Sequence, residues 1–188
     1  MLRTLIAAAA ALPVAAAAQP PAAQQIAAAV LPLPAEFRAT ATVLGYGADG
    51  KLGALRESGG PYVCLAADPK RTDFHVACYH RSLEPFMARG RALRAQGVAG
   101  ERVDSARFAE VKAGTLKLPT QAAALYSLTG GSFDAATGAA TGARPLYVVY
   151  MPGATPASTG LPAQPARGMP WLMFPGTPKA HIMFVPSM

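Results

Sequence analysis

The stretch YVCLAADPKRTDFHVACYH, which spans residues 62–80, decides the fold. Tyr62–Ala66 and Phe74–His80 are rich in aromatic and β-branched residues and are separated by an Asp-Pro turn signal, so they predict two short neighbouring strands. Cys64 lies on the first strand and Cys78 on the second. The chain has two cysteines, and an even pair in an exported protein most often forms a disulfide. We therefore predict a Cys64–Cys78 disulfide.

Further strands and two helices are predicted on both sides of this stretch. The second helix has Phe108 and Val111 as its apparent apolar anchors, and Ser82 is the expected cap of the first. Strands, then helices, then strands predict one α+β domain over residues 40–188, with a mainly antiparallel sheet of about six short strands and two helices inserted mid-chain. The strands pair as Ala41–Tyr46 with Leu52–Glu57, Ala123–Thr129 with Pro145–Met151, and Met169–Phe174 with Ala180–Val185, and the helices are Ser82–Gln96 and Glu101–Lys112.

The N-terminal residues have the pattern of an export signal. Arg3 supplies a positive charge, Leu5–Val14 is an apolar run, and Ala16-Ala17-Ala18 fits the small-x-small pattern of a cleavage site. The run is shorter than the roughly 20 residues that a membrane span needs. Residues 1–18 are therefore predicted to be a signal peptide, followed by a Pro/Ala-rich segment over residues 19–39 in which Ala22–Leu31 can form a short helix. The mature chain is expected to be periplasmic or secreted, without a transmembrane segment.

Several segments of the mature chain resemble a group of exported bacterial proteins that have no assigned activity. The resemblance covers most of the mature chain and implies export and a shared fold, but it implies no functional residue. The segments are Ala48-Asp49-Gly50, Leu55-Arg56, Cys64 through Cys78, Pro152-Gly153-Ala154 with Gly160-Leu161-Pro162, Pro170-Trp171-Leu172-Met173, Gly176-Thr177-Pro178 and Ala180-His181-Ile182-Met183.

The charge of the chain does not indicate nucleic-acid binding. The formal net charge is +7, and between Lys70 and Arg107 eight basic residues face four acidic ones. A nucleic-acid surface would combine basic residues with stacking aromatics, and this stretch has few aromatics. We interpret the basic residues as solvated helix faces and exclude nucleic acid as a partner. No feature of the sequence indicates another partner.

Gly45-Tyr46-Gly47-Ala48-Asp49-Gly50 matches the G-x-G-x-x-G pattern of dinucleotide-binding proteins. That function requires a helix that begins within the glycines, so that its N-terminus meets the pyrophosphate. Here the residues that follow, Lys51-Leu52-Gly53, have the pattern of a strand. We therefore predict a hairpin turn and no cofactor.

Catalytic motifs are absent from the sequence. No serine stands in G-x-S-x-G or S-x-x-K, and three histidines define no triad by themselves. The sequence therefore favours a non-catalytic exported binding or structural module. The alternative is an extracytoplasmic enzyme, most readily a hydrolase, whose site would hold His80 or His181 beside a carboxylate and a hydroxyl in a deep pocket.

Two groups of residues are candidates for a metal site. His75 and His80 flank Cys78, but a disulfide would remove the thiolates that zinc needs. Met169, Trp171 and Met173 share a face of one predicted strand, and His181 and Met183 share a face of the next. Thioether and imidazole ligands suit copper, which makes a copper-binding protein a minor alternative.

The strand register decides whether this copper group can form. A shared site needs Met173 opposite His181, whereas a register in which Phe174 pairs with Lys179 would turn Met173 to the other side of the sheet. Methionine and tryptophan on paired strands are usually core residues. We therefore expect Trp171 and Met173 to be largely buried, His181 to be held by a hydrogen bond, and no metal to be bound.

The first prediction concerns export. Cleavage after Ala18 should give a mature chain that begins at or within a few residues of Gln19, because Ala16-Ala17-Ala18 presents the residues that a signal peptidase accepts. Mass spectrometry of the protein outside the cytoplasm measures this directly. An extracytoplasmic chain that retains Met1 would contradict it.

Overall fold

A computed structural model describes residues 19–165 and 168–186. The signal peptide predicted for residues 1–18 lies outside the described residues. The described strands are β1 (Thr42–Tyr46), β2 (Leu52–Arg56), β3 (Tyr62–Leu65), β4 (His75–His80), β5 (Ala123–Thr129), β6 (Ser132–Asp134), β7 (Ala139–Thr141), β8 (Arg144–Tyr150), β9 (Trp171–Met173) and β10 (His181–Phe184). Eight of them form one sheet in the order β2-β1-β3-β4-β5-β8-β10-β9, and the short strands β6 and β7 form a separate hairpin between β5 and β8.

The fold is a mixed helix and sheet structure, and its main sheet is larger than the six strands expected. The predicted strand pairs do not remain separate hairpins. β1 joins β3 by parallel pairing, and β8 pairs with both β5 and β10, so that all the pairs merge into one sheet. All the pairings in this sheet other than β1 with β3 are antiparallel.

In the described part of the chain five α-helices accompany the sheet, among them the two predicted mid-chain. The predicted cap of the first mid-chain helix is wrong. The chain first forms a short 3₁₀ turn, Arg81–Leu83, and the His80 side chain accepts the N–H of Ser82 at its start. The helices are α1 (Ala22–Ala29), α2 (Ala35–Arg38), α3 (Glu84–Ala95), α4 (Glu101–Lys112) and α5 (Pro156–Thr159).

The predicted disulfide is present and joins two interior strands of the sheet. Cys64 of β3 and Cys78 of β4 are direct cross-strand partners with their Cα atoms 4.0 Å apart, and their sulfurs are bonded. Because side chains alternate along a strand, the register extends this row across the sheet through Val43, Tyr126 and Tyr147. We call this side of the sheet the disulfide face and the opposite side the Tyr79 face.

Helices cover both faces, but only in part. α1 packs on the disulfide face, where Ala29 and Val30 lie against the buried disulfide. On the Tyr79 face, Leu83 and Met87 pack against Tyr79, and α4 in turn packs on α3. A third cluster covers the disulfide face at β9 and β10, where Ala154, Leu161 and Met151 pack against Leu172 and Ile182.

The G-x-G-x-x-G segment forms the predicted hairpin between β1 and β2. Gly47 donates its N–H to Lys51 and accepts that of Gly50, which has a φ of +70°. Gly45 has a different reason to be glycine, because a Cβ there would lie 2.3 Å from a Leu55 methyl and 2.7 Å from the Gln25 side-chain oxygen. At the end of β1 the Gln25 side chain donates a hydrogen bond to the carbonyl of Tyr46 and accepts one from its N–H.

Over residues 19–165 and 168–186, no helix has both the length and the hydropathy to cross a membrane.

The second prediction concerns the disulfide. The double variant Cys64→Ala/Cys78→Ala should lose about 3 kcal/mol of unfolding free energy, because the bond closes a loop of roughly 15 residues in the unfolded chain. Urea denaturation measures the loss, and reduction of the unaltered protein should reproduce it. A loss of less than about 1 kcal/mol would contradict the account.

Candidate functional site

The structure brings the four copper candidates together on one face of the sheet. His181 lies opposite Met173, and Met183 lies opposite Trp171. This is the register that a shared site requires. All four side chains therefore belong to the Tyr79 face, at the edge that β9 forms.

The turn between β9 and β10 explains this register. Phe174 adopts a left-handed backbone with φ of 53°, and its carbonyl accepts the N–H and hydroxyl of Thr177. Gly176 donates to the carbonyl of Ala154, and Gly153 donates to that of Thr177. The turn is thus tied to the segment after β8, an interaction that local sequence patterns do not contain.

His181 is buried and fixed, whereas its neighbours are partly open. Its side chain is 6% exposed, and Nδ1 lies 2.6 Å from the carbonyl oxygen of Lys179. Burial lowers the pKa of His181 below its ordinary value, which keeps the ring neutral. The expected hydrogen bond is confirmed. Trp171 and Met173 are partly buried.

A partly buried polar cluster lies beside this group. Asp104 of α4 accepts hydrogen bonds from Arg107 and from Lys179, whose Nζ is 2.9 Å away. Arg107 is 4% exposed and lies 3.8 Å over the ring of Phe86. The predicted anchors of α4 were therefore wrong, because Phe108 and Val111 are only partly buried while Val103 and Arg107 are buried. Asp104 connects α4 to the turn that precedes His181.

The other two histidines have local roles. His75 Nδ1 lies 2.8 Å from the hydroxyl of Thr129. His80 Nδ1 lies 2.8 Å from the hydroxyl of Ser82, two residues away, in the 3₁₀ turn that it caps. Within the described ranges, no carboxylate is a hydrogen-bond partner of a histidine ring. No cluster of three His, Cys, Asp or Glu side chains that could hold a metal occurs there either.

Four surface cavities of about 260 to 670 Å³ are described, and none is lined by His80 or His181. One of about 430 Å³ lies between α1 and the β3–β4 loop. Its Arg71 and Asp73 form an exposed ion pair with each other, and the stacked rings of Phe74 and Phe133 border it. The charges of Arg71 and Asp73 therefore largely compensate each other.

The disulfide face is open over β5, β8 and β10, between its two covers. Tyr126, Tyr147 and Phe184 are successive cross-strand partners there. Tyr147 is 41% exposed and Phe184 is 38% exposed. The row of rings continues under α2, with centroids 5.7 Å apart from Tyr147 to Tyr126 and 5.9 Å from Tyr126 to Tyr62. Burial raises the pKa of Tyr62 to about 12, so its hydroxyl stays protonated.

A groove of about 260 Å³ runs along this row. We call it the aromatic groove. Among its lining residues the one charged side chain is Arg38, whose Nε and Nη2 donate to the carbonyls of Leu33 and Leu31. The groove is lined by Leu31, Pro32, Leu33, Pro34, Arg38, Tyr126, Leu128, Pro145 and Tyr147.

The sequence does not predict this groove, although it predicts the strands that form its floor. Tyr126 and Tyr147 stand near the centres of two predicted partner strands, and that position was the available signal. The other wall comes from Leu31–Pro34, and the sequence predicts only a Pro/Ala-rich segment there.

Comparison of the chain with protein-family models, with curated proteins and with solved structures finds no match.

The third prediction concerns Asp104. Asp104→Asn should lower the unfolding free energy by about 3 kcal/mol, because it leaves the buried Arg107 guanidinium without its counter-charge. Urea denaturation of the variant measures this. The matched control is Asp73→Asn, which breaks an exposed pair with Arg71 and should leave stability nearly unchanged.

The same carboxylate should make stability depend on pH. Burial raises the pKa of Asp104, but hydrogen bonds from Lys179 and Arg107 outweigh it and hold the pKa below the ordinary 3.8. The stabilisation is therefore present above that value and is lost as pH falls below it. Asp104→Asn should flatten this acid limb, and an unchanged limb would contradict the role of Asp104.

Proposed function

We propose that this chain is an exported, non-catalytic binding module and that the aromatic groove is its binding surface. The observation that carries the proposal is the gap in the cover of the disulfide face, where Tyr147 of the groove is 41% exposed and lies beside Phe184, its exposed cross-strand partner outside the groove. Contiguous exposed apolar surface on an otherwise covered sheet is typical of an interaction site.

The residue types of the groove also favour binding. Tyrosine gives a large apolar ring together with a hydroxyl that can hydrogen-bond a partner, and tyrosine and arginine contribute most often to binding energy at interfaces. The lining contains no aspartate, glutamate or lysine, which matches the composition of interface centres. Catalysis lacks comparable support, since no described carboxylate hydrogen-bonds His80 or His181.

The occupant that fits best is an extended, proline-containing peptide. β5 lies between β4 and β8, and β8 lies between β5 and β10, so neither strand has a free edge to which a peptide strand could pair. Polyproline II segments bind in aromatic-lined grooves and need no strand pairing.

The positive charge of Arg38 in the groove favours a peptide that also carries an acidic group. Arg38 has no ion-pair partner in the described part of the chain, and two of its nitrogens are held by backbone carbonyls. The guanidinium is therefore positioned in advance at the end of the groove. A peptide carboxylate placed there would form a charge-assisted hydrogen bond.

Export is part of the proposal. The signal-like N-terminus predicts it, and the Cys64–Cys78 disulfide is compatible with an oxidising compartment.

The fourth prediction tests the groove with a defined probe. In a heteronuclear NMR titration, a synthetic peptide of ten prolines ending in an amidated aspartate should shift the amide signals of β5, β8, Leu31 and Leu33. Tyr147→Ala should weaken binding about tenfold or more, because it removes a central aromatic contact. Arg38→Gln should remove the advantage of the terminal aspartate over a terminal asparagine.

Two controls distinguish binding in the groove from non-specific binding. Phe133→Ala removes an aromatic ring from the β6–β7 hairpin and should leave the affinity unchanged. A peptide of ten alanines ending in aspartate should not bind. Absence of shifts in the groove, or binding that Tyr147→Ala does not alter, would contradict the proposal.

A further inference from the structure

The geometry points to a Cu(I) site on the other face of the sheet, independent of the aromatic groove. We propose that the ring nitrogen Nε2 of His181 and the thioether sulfurs of Met173 and Met183 bind one Cu(I) ion, with Trp171 beside it. This inference goes against the expectation that these side chains are only core residues. Three observations carry it: the register, the state of the histidine ring and the exposure of the methionines.

The register places the three ligands within reach of one ion. Met173 is the direct cross-strand partner of His181, which puts their Cβ atoms about 4.5–5.5 Å apart. Met183 follows His181 by two residues on the same face, and the diagonal from Met173 to Met183 spans about 7–8 Å. Methionine has three rotatable bonds, so two thioethers can turn towards a point above His181.

The ring of His181 is prepared for a metal at Nε2. A carbonyl oxygen can only accept, so the contact of Nδ1 with the Lys179 carbonyl means that Nδ1 carries the proton and that Nε2 of the neutral ring has a free lone pair. A metal-binding histidine is typically held in this way by a backbone carbonyl on its other nitrogen. Nε2 has no hydrogen-bond partner among the described residues, although the side chain is more than nine-tenths buried.

The site is reachable from solvent. Nε2 of His181 keeps some exposure to solvent. In the described chain only one side-chain nitrogen or oxygen is both fully buried and without a hydrogen-bond partner, and that atom is Nε of Arg107. Met173, Met183 and Trp171 are partly exposed, and β9 is the edge strand.

The ligand set selects the ion by its softness. Two thioethers and one imidazole suit Cu(I), whereas Ca²⁺ and Mg²⁺ need oxygen ligands and Cu(II) prefers nitrogen and oxygen in a tetragonal arrangement. The Lys179 ammonium group shares the single carboxylate of Asp104 with Arg107, so this neighbouring cluster keeps a net charge of +1. That charge repels a singly charged Cu(I) ion less than it repels a divalent ion.

An anaerobic titration tests the proposal. Cu(I), supplied in competition with a chromophoric Cu(I) chelator, should bind the disulfide-bonded protein in a one-to-one ratio. Trp171 is the single tryptophan of the chain, so its fluorescence should change with the same stoichiometry. His181→Ala should abolish binding, and Met173→Leu/Met183→Leu should weaken it at least a hundredfold.

The methionine variants keep the test decisive if His181→Ala fails to fold. Leucine conserves the volume of methionine, so the double variant should keep the circular dichroism spectrum and thermal midpoint of the unaltered protein. Met151→Leu, which alters a partly buried methionine on the opposite, disulfide face of the sheet, should retain full Cu(I) affinity. No stoichiometric binding by the unaltered protein, or full affinity in a folded Met173→Leu/Met183→Leu variant, would overturn the proposal. Neither result would bear on the aromatic groove.

Discussion

The bond between Cys64 and Cys78 is the constraint on which the rest of the sheet depends. It joins direct partners on β3 and β4, the third and fourth of the eight strands of the sheet. A slip of one residue would turn every side chain to the opposite face, and the disulfide forbids that slip. Because β1 pairs with β3 and β5 pairs with β4, the orientation of both neighbours is fixed by the same bond.

The two faces that result have different chemistry. On the disulfide face, the covers formed by α1 and by the segment after β8 leave Tyr126, Tyr147 and Phe184 as an open aromatic row. On the Tyr79 face, the Asp104–Lys179 pair holds the turn that ends at His181, so a buried imidazole is fixed beside two methionines. One register therefore produces a surface suited to an apolar peptide and, on the opposite face, a group of soft metal ligands.

Local patterns in the sequence predicted the elements well, and contacts between distant segments account for what they missed. The strands around Cys64 and Cys78 followed from β-branched and aromatic residues, and the hairpin after Gly45 from its glycines and Asp49. The size of the sheet depends on parallel pairing of β1 with β3, for which the sequence has no local signal. Arg107 was overlooked as a core residue because its burial requires Asp104 and Phe86 as partners. The register of β9 and β10 was left open because it depends on hydrogen bonds from the turn to Gly153 and Ala154.

The central claim is that the disulfide face is closed at its ends and open along its aromatic row. Hydroxyl-radical footprinting with mass spectrometry tests it most directly, because it reports the exposure of each aromatic ring in the folded protein. The account predicts fast oxidation of Tyr147 and Phe184, and strong protection of Tyr62 and Tyr79, which are 7% and 2% exposed. Protection of Tyr147 equal to that of Tyr79 would show that the row is covered and would contradict the account.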